Sequence, residues 1–228
     1  MVKTASIICP VWNRADLTMK FLASHWRLYA RRKDIEIIII DNGSTDPTPM
    51  ILSQWKDVFG SNLTAIRNEE NKGFGAANNQ GTDAAKGNIL IFISNDVMIN
   101  GDYVTPVEKR LVGSIALVGA ELLTHNTGWN MFKKDGDSVL IPYVAGHLIA
   151  VNRSTWDVLG GWDERYHPSD YEDIDLSYAA TQQGVQLVSM SLPVHHLFGQ
   201  SAGQIVGGRE AMTRRNRQKF MEKWGLGE

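Results

Sequence analysis

Three features are scarce in this sequence of 228 residues: cysteine, an excess of either charge, and long apolar runs. Cys9 is the single cysteine, so no disulfide can form within the chain, and this favours a reducing, cytoplasmic location. The formal net charge of -2 argues against a nucleic-acid-binding domain, which usually carries a strong basic excess. No apolar run approaches the roughly 18 residues of a transmembrane helix, and the first residues, MVKTASIICPVW, lack the apolar core of a signal peptide. We therefore expect no nucleic-acid partner and no transmembrane segment, while a peripheral contact with a membrane stays open.

Apolar residues are plentiful, at 43% of the chain, and in the first half they alternate between strand-like and helical patterns. The strand-like segments are TASIICPV, IEIIIID, LTAIRN and NILIFISND, which begin at residues 4, 35, 63 and 88, and the helical segments span 15–30, 45–59 and 73–86. This order predicts an α/β fold with a mostly parallel central sheet, helices on both faces and right-handed crossovers. Ligands of such sheets bind beyond the carboxyl ends of the strands.

The second half of the chain is less regular. Strands are predicted at 115–123, in VAGHLIAVN from 144 and in VQLVSM from 185, and helices at 153–159, 171–184 and 208–224. The polar segment 124–138 is predicted to be a flexible insertion that could act as a lid. We expect a single domain, with a nucleotide-binding half at 1–98 and a smaller acceptor-binding half at 99–228.

Polar side chains follow the predicted strands of the first half. Asn13, Asp41, Asn68 and Asp96 come after the first, second, third and fourth strands in turn. Each alone could be a cap or a turn former, but together they predict one polar rim at the carboxyl edge of the sheet.

Two segments at this rim suit a diphosphate. Ser94-Asn95-Asp96 ends the fourth strand, and Asp96 offers the hard oxygen ligand that a divalent cation needs beside phosphates. Asn71-Lys72-Gly73-Phe74-Gly75 begins a helix and offers backbone N–H groups and a cation. The second segment matches neither GxxxxGK[ST] nor GxGxxG, so a plain helix start is the alternative.

Acidic and imidazole groups cluster again near the end of the chain. Glu172, Asp173 and Asp175 fit either a solvated first helical turn or a carboxylate base beside a substrate hydroxyl. Trp162-Asp163 could add an aromatic platform for a sugar, and His195-His196 suggest metal ligation.

Taken in order, these segments resemble the family 2 glycosyltransferases of the GT-A fold, especially short bacterial and phage members related to rhamnosyltransferases. The matching stretches are SIICPVWNR, IIIIDNGSTD, NEENKGFGAANNQG, ILIFISND, GGWDE, YEDIDL and HHLFGQS, and NRQKFMEKWG looks like the last helix of the family. The resemblance covers nearly the whole chain, most securely 6–98 and 145–201.

The resemblance implies a role for each matched residue. The residues that would bind the nucleotide sugar are Pro10, Val11, Asn13, Asp41, Ser44, Asn71, Gly73, Asn78, Asn95 and Asp96. Asp96, as the last acid of the DxD motif, and His196 would hold Mn²⁺ or Mg²⁺. Asp173 of the ED motif would be the general base of an inverting transfer, and Glu172, Trp162 and Asp163 would contact the acceptor.

Two positions depart from the family pattern. Ser94 stands at the first position of the DxD motif, which implies weaker metal binding rather than its loss. The arginine that commonly follows ED-x-DL is absent, because Ser177-Tyr178-Ala179-Ala180 stands there, and this affects acceptor recognition more than chemistry.

The predicted function is therefore transfer of a sugar, most simply from a UDP-hexose, to a carbohydrate or lipid-linked sugar acceptor. A dTDP-rhamnose donor is the first alternative, since Asp41 suits either uracil or thymine. A nucleotidyltransferase is disfavoured because residues 10–16 contain neither glycine nor lysine. A sugar-nucleotide-binding module with weakened catalysis is the non-enzymatic alternative, and Ser94 is its main support.

Overall fold

The computed structural model describes residues 4–197 and 208–228. The strands are β1 Ala5–Val11, β2 Ile35–Asp41, β3 Leu63–Arg67, β4 Ile89–Ile93, β5 Val97–Ile99, β6 Ala116–Gly119, β7 Leu122–Leu123, β8 Met131–Lys134, β9 Asp137–Leu140, β10 Tyr143–Val144, β11 Leu148–Asn152, β12 Gln186–Ser189 and β13 Val194–His196. The helices are α1 Ala15–Tyr29, α2 Thr48–Phe59, α3 Phe74–Ala84, α4 Val104–Leu111, α5 Arg153–Leu159, α6 Glu172–Gln182 and α7 Arg209–Trp224.

A central sheet organises the part of the chain that the structure describes, with its seven strands in the order β12-β6-β11-β4-β1-β2-β3. Neighbouring strands are parallel except at β11, which runs antiparallel to both β4 and β6. The predicted α/β fold with a mostly parallel sheet is therefore confirmed. The first four strands lie side by side in the order β4-β1-β2-β3, and the crossover helices α1, α2 and α3 connect them, as the sequence order predicts.

The sheet is covered on both faces, which explains why β2 is an almost unbroken isoleucine run. Ile37 and Ile39 face a core shared with α1, α2 and α4, whereas Ile38 and Ile40 face a core shared with α3, α5 and α6. Every residue of β2 is buried. A strand with one solvated face would instead alternate apolar and polar residues.

A third, smaller core joins α6 and α7 to the β8–β9 hairpin. Phe132 of the hairpin packs on Phe220 of α7 with ring centroids 5.1 Å apart, and Tyr171 lies beside the same ring. The segment 124–138, predicted to be flexible, is instead tied to the body of the protein. Arg217 of α7 donates from Nη1 and Nη2 to the carbonyls of Trp129 and Met131 at 2.9 and 2.6 Å. Within the segment, buried Asn130 donates through Nδ2 to the carbonyls of His125 and Ile141 at 3.0 and 3.1 Å.

Several boundaries differ from the sequence prediction. Helix α4 and the short pair β5–β13 were not predicted, and the strand predicted from Val144 is interrupted between β10 and β11. Helix α2 begins at Thr48 rather than 45, because Asp46 Oδ1 accepts the backbone N–H of Thr48 and starts the helix there. The Phe198-to-Ser201 part of the HHLFGQS segment lies outside the described residues. None of the helices within the described ranges is long and apolar enough to cross a membrane.

Candidate functional site

A cavity of about 900 Å³ opens at the carboxyl ends of β1 and β4, the edge that the strand order predicts for a ligand. Its wall combines Pro10 to Trp12, Asn42, Asn71, the segment 94–96, Gly146-His147, Glu172-Asp173, His196, and Arg209 and Arg215 of α7. Both halves of the chain therefore contribute to a single cavity. Its volume suits a ligand the size of a nucleotide sugar.

The predicted donor-binding residues divide into two groups. Pro10, Val11, Asn71, Asn95 and Asp96 line the cavity. A second group lies behind its wall and contacts other protein groups: Asn13, Asp41, Ser44, Gly73 and Asn78.

Asp41 is buried at the end of β2 in a hydrogen-bonded rim. Its Oδ1 accepts the backbone N–H of Ser44 at 2.9 Å, and its Oδ2 is ion-paired with Arg67. Arg67 Nη2 also donates to the Ser44 carbonyl at 2.9 Å, and Ser44 Oγ accepts the Asn13 N–H at 2.8 Å. Arg67 comes from the end of β3 and was not predicted. A nucleotide base that meets Asp41 would meet this cation as well.

Asn42 was also not predicted, although it lines the cavity. Its Nδ2 donates to Asn71 Oδ1 at 2.8 Å, and its Oδ1 accepts from Asn68 Nδ2 and from the Lys72 backbone N–H. Asn42 therefore joins the loops that follow β2 and β3. This explains why Asn68 reaches the polar rim without lining the cavity itself.

The start of α3 differs from the predicted phosphate cradle. The N–H of Phe74 donates to the Pro168 carbonyl at 2.8 Å, and the N–H of Gly73 donates to Asn71 Oδ1 at 2.9 Å. A Cβ on Gly73 would lie 2.8 Å from the His167 ring, so glycine is required for this close approach. Asn78 is buried, and its Nδ2 donates to the Phe74 carbonyl. The helix start therefore binds a protein loop with the N–H groups that were expected to face phosphate.

Asp96 and His196 meet at the base of the cavity. Antiparallel pairing of β13 with β5 brings them together, and Asp96 Oδ1 lies 3.4 Å from His196 Nε2. The same pairing leaves His195 on the exposed side of the strand. The choice between two consecutive histidines, which the sequence left open apart from the family spacing, thus follows from strand alternation.

His147, which was not predicted, stacks on His196 with ring centroids 4.5 Å apart and planes 15° apart. Burial, and then the neighbouring His196, lower the pKa of His147 to about 4, so this ring is neutral at pH 7. This uncharged ring stacks on His196 without adding positive charge to the site.

The Asp96–His196 pair fits a divalent cation by ligand type and spacing. Ligands of one octahedral ion with bonds of about 2.1 Å stand about 3 Å apart, close to the observed 3.4 Å. Among the described residues there is no group of three His, Cys, Asp or Glu side chains that could hold a metal. Two protein ligands would therefore need substrate phosphates or water to complete the shell, as is usual for Mg²⁺.

Asp173 and Glu172 occupy the first turn of α6. Asp173 Oδ2 accepts the Gly146 N–H at 2.9 Å, and burial raises the pKa of Asp173 to about 6, against the effect of that hydrogen bond. Burial, and then the charge of Asp173, raise the pKa of Glu172 well above its usual range. Asp175 points away from the cavity and accepts from Lys223 Nζ at 2.7 Å. Of the three clustered acids, Glu172 and Asp173 line this cavity and Asp175 does not.

Gly146 and His147 connect the two chemical groups of the cavity. Gly146 holds Asp173 through its N–H, and the adjacent His147 stacks on His196, the neighbour of Asp96. A Cβ on Gly146 would lie 3.2 Å from Asp173 Cβ, so glycine permits this close approach. A single dipeptide thus contacts both the Asp173 carboxylate and the His196 ring that lies next to Asp96.

The structure does not bring Trp162 and Asp163 to the cavity. Trp162 is 3% exposed and packs edge-on against Phe92 and Phe74, with ring centroids 5.3 and 5.4 Å away. Asp163 forms ion pairs with Arg165 at 2.8 Å and with Lys223 at 2.7 Å. In the GGWDE segment, Trp162 therefore belongs to the hydrophobic core and Asp163 to an ion-pair network. Neither residue offers the expected aromatic platform for a sugar in this cavity.

Helix α7 holds the turn that carries Glu172 and Asp173. Asp170 and Tyr171 both have positive backbone φ angles, 73° and 83°, which are uncommon for residues other than glycine. Fully buried Asn216 donates through Nδ2 to the carbonyls of Tyr166, Ser169 and Asp170 at 2.8 to 3.0 Å. Arg209 adds a two-point ion pair with the Asp170 carboxylate at 3.0 and 3.1 Å. The sequence offered no signal for Asn216 beyond its place in the NRQKFMEKWG segment.

Known proteins share both sequence and fold with this chain. Glycosyltransferase AglE of Haloferax volcanii is 30% identical over 121 residues, which are 53% of this chain and 38% of AglE. The mannosyltransferase PcManGT of Pyrobaculum calidifontis, solved with GDP-Man and Mn²⁺, superposes with a TM-score of 0.67 at 20% identity, over 88% of this chain and 59% of that one. GalNAc-T7, solved with UDP, GalNAc and Mn²⁺, superposes with a TM-score of 0.73 at 17% identity, over 97% and 48%.

The chain spans less than two thirds of the length of each of these proteins. The two superpositions show that its fold is the GT-A fold of glycosyltransferases. The sequence pattern described as "Glycosyl transferase family 2" matches residues 6–154, well over half of the chain. The chain therefore belongs to glycosyl transferase family 2.

Proposed function

We propose that this chain is an inverting glycosyltransferase that moves a sugar from a nucleoside diphosphate donor to a hydroxyl acceptor. The observation that carries the proposal is the Gly146-His147 dipeptide, which links the Asp173 carboxylate to the Asp96–His196 pair inside one cavity. A proton acceptor and a potential cation site are the two groups that such a transfer needs side by side.

Asp173 accepts the proton of the acceptor hydroxyl as that oxygen forms its bond to the anomeric carbon. The bond between the anomeric carbon and the diphosphate oxygen breaks at the same time, and its electron pair leaves with the nucleoside diphosphate. A single displacement of this kind inverts the anomeric configuration. The raised pKa of Asp173, about 6, leaves it ionised yet basic at neutral pH.

Asp96 and His196 would hold Mn²⁺ or Mg²⁺, which supplies positive charge against the charge developing on the leaving diphosphate. PcManGT and GalNAc-T7 were both solved with Mn²⁺, which supports a divalent cation here. His147 keeps the His196 ring in place by stacking. Ser94 lines the same cavity with a hydroxyl in place of a carboxylate. The proposed protein ligands of the cation would therefore carry one negative charge, that of Asp96.

The donor is proposed to be a UDP-hexose, with dTDP-rhamnose as the alternative. Pro10, Val11, Asn42 and Asn71 form the wall for the nucleotide, and the Asp41–Arg67 pair lies behind it. The UDP complex of GalNAc-T7 supports a uridine donor, whereas PcManGT was solved with GDP-Man. The acceptor is proposed to be a carbohydrate or a lipid-linked sugar. The cytoplasmic location and a peripheral membrane contact stay predictions.

The experiment that tests the function is a screen for donor cleavage across nucleotide sugars with Mn²⁺, followed by transfer to sugar acceptors. Release of nucleoside diphosphate from at least one donor, with an inverted product linkage, is the expected result. Tight donor binding by calorimetry without any cleavage would instead favour the binding-module alternative, which Ser94 supports.

The pH profile should reveal Asp173. Because the base must be ionised, we expect kcat/KM to rise with pH through an apparent pKa of about 6 and to level off above it. The measurement is initial-rate kinetics between pH 4.5 and 8.5 at a fixed Mn²⁺ concentration. A profile that stays flat across this acid limb would contradict the assignment of Asp173 as the base.

Replacing Asn216 with Ala should slow transfer more than it disturbs the fold. The change removes the donor to three carbonyls of the turn that carries Asp173, so we expect kcat to fall at least tenfold with donor KM unchanged. Asn152→Ala is the matched control, because its Nδ2 donates to the Leu111 and Ser114 carbonyls at the opposite edge of the sheet. Each variant should lose about 1–3 kcal/mol of unfolding free energy. Equal kcat values for the two variants would show that Asn216 is only structural.

A further inference from the structure

The cavity continues past Asp173 to a wall that none of the predicted site residues occupies. Four lining residues form this wall, which we call the acceptor wall: Glu121, Leu123, Thr127 and Tyr143. Antiparallel pairing of β10 with β7 sets Tyr143 opposite Leu123, and the Ala145 N–H donates to the Glu121 carbonyl at 3.0 Å. Gly146, one residue further on, holds Asp173. The wall is therefore built on the same short stretch that positions the proposed base.

Tyr143 stands close enough to Asp173 to be affected by its charge. Burial, and then the carboxylate of Asp173, raise the pKa of Tyr143 to about 12, so its hydroxyl stays protonated at neutral pH. The ring is half-buried, with part of it exposed to the cavity. A partly exposed, uncharged aromatic ring beside a catalytic carboxylate is suited to the apolar face of a sugar ring.

The acceptor wall is held in place by hydrogen bonds. The N–H and the Oγ1 of Thr127 both donate to Asn130 Oδ1, at 2.9 and 3.0 Å. The carbonyl of Trp129 accepts from Tyr171 Oη at 2.7 Å and from Arg217 Nη1 at 2.9 Å. These bonds join the segment 124–138, which carries Thr127, to the start of α6 and to α7.

The charges around this wall are acidic. The carboxylates of Glu121 and Asp173 line this part of the cavity, and Arg209 and Arg215 are the lysine or arginine side chains that line it among the described residues. Both arginines belong to α7, and Arg209 is engaged with the Asp170 carboxylate. A phosphate or carboxylate group on a sugar bound beside Asp173 would therefore be repelled by these carboxylates. None of the four residues of the acceptor wall is a lysine or an arginine that could offset the repulsion.

We propose that the acceptor wall is the acceptor subsite and that it takes an uncharged pyranose, with the sugar face on Tyr143 and its hydroxyls toward Thr127 and Glu121. The proposal rests on the proposed glycosyl transfer for the role of Asp173. It names the chemical class of the acceptor residue: a neutral sugar, and neither a uronate nor a sugar phosphate.

The first test is binding, which needs no catalysis. Saturation-transfer NMR in the presence of UDP and Mn²⁺ would compare methyl glucoside and methyl galactoside with methyl glucuronide and glucose 6-phosphate. We expect saturation transfer to the neutral glycosides only, and its loss in Tyr143→Ala. Equal transfer to the anionic sugars, or neutral sugars that bind Tyr143→Ala as well as the native chain, would overturn the proposal.

The second test is kinetic and uses the donor found in the cleavage screen. Tyr143→Ala should raise the KM for a neutral acceptor at least tenfold, while the KM for the donor stays within twofold. Tyr143→Phe should keep the acceptor KM, because the ring remains, and Glu121→Gln should narrow the preference for neutral over anionic acceptors. Lys134→Ala, on the exposed part of the β8–β9 hairpin, is the control for disturbance of this region.

The two proposals fail in different ways. If no donor is cleaved but neutral glycosides still depend on Tyr143 for binding, the proposed catalysis fails and the sugar subsite stands. If donors are cleaved and Tyr143→Ala leaves the acceptor KM unchanged, the acceptor wall is wrong while the glycosyl transfer stands.

Discussion

Asp173→Asn is expected to reduce sugar transfer by about 10²- to 10⁴-fold, the usual contribution of a general base. Asparagine keeps the size of the side chain and an oxygen for the Gly146 N–H, but it cannot take a proton from the acceptor hydroxyl. Donor KM should therefore stay close to that of the native chain. The measurement is steady-state transfer together with calorimetric titration of the donor.

The same variant should be more stable than the native chain at neutral pH. The pKa of Asp173 is about 6 in the folded state and near 3.9 when unfolded. The folded state therefore resists ionisation, and native stability falls relative to the variant as pH rises from about 4 to about 6. The gain of the variant should be of the order of 1–3 kcal/mol above pH 6 and vanish below pH 4. Urea unfolding at pH 4 and pH 7.5 would measure it.

Asp175→Asn is the matched control, since it lies on the same helix and has the same chemistry. Asp175 accepts from Tyr166 Oη, Lys223 Nζ and Trp224 Nε1, all away from the cavity. This variant should lose stability yet keep its turnover per folded molecule. If Asp173→Asn transferred sugar at the native rate, or if both variants lost turnover equally, Asp173 would not be the base.

Asp96→Ala is expected to remove metal-dependent turnover, with a loss of at least about 10²-fold at saturating donor. His196→Ala should weaken Mn²⁺ binding by about 10- to 100-fold and recover part of its activity at high Mn²⁺, because the carboxylate remains. Chelation by EDTA should abolish transfer by the native chain, and added Mn²⁺ or Mg²⁺ should restore it. Calorimetric titration of each variant with Mn²⁺ in the presence of UDP measures the binding of the cation directly.

His195→Ala provides the control for this prediction. His195 precedes His196 on β13 but points to the exposed side, whereas Asp96 Oδ1 lies 3.4 Å from His196 Nε2. We expect the His195 variant to bind Mn²⁺ like the native chain. Equal loss in the two histidine variants, or full transfer in EDTA, would argue against the proposed cation site.

The positions of β1 to β4 and of the polar rim could be predicted because they depend on local pattern. The isoleucine run of β2 is recognisable without the fold, and Asp41 and Asp96 follow strands that parallel pairing brings to one edge. The cavity does lie at that edge. The role of Asp41 could not be predicted in full, since Arg67 reaches it only after β3 pairs with β2.

Other errors have the same origin. Trp162 has the chemistry of a sugar platform, but its ring is buried against Phe92 because the chain after α5 returns to the sheet. The helix start at Gly73 has the chemistry of a phosphate cradle, but the loop at Pro168 takes the Phe74 N–H. The side-chain or backbone chemistry of Trp162 and Gly73 shows what each residue could bind. Burial and competing protein partners, which depend on the fold, decide what each residue does contact.

The order of strands and helices along the chain was enough by itself to indicate the α/β fold and the edge of the sheet where a ligand belongs, because the period of a strand or a helix is a local property. The glycosyltransferase family was indicated by the resemblance of the motifs. The resemblance already implied His196, and the tertiary structure gave the strand alternation that turns it toward Asp96. Only the tertiary structure decided that Asn216 holds the turn before Asp173 and that Tyr143 and not Trp162 stands at the cavity wall. The physical reason is that each of these contacts joins segments far apart in the sequence. Their side-chain directions are set by strand pairing and helix packing, which no short motif contains.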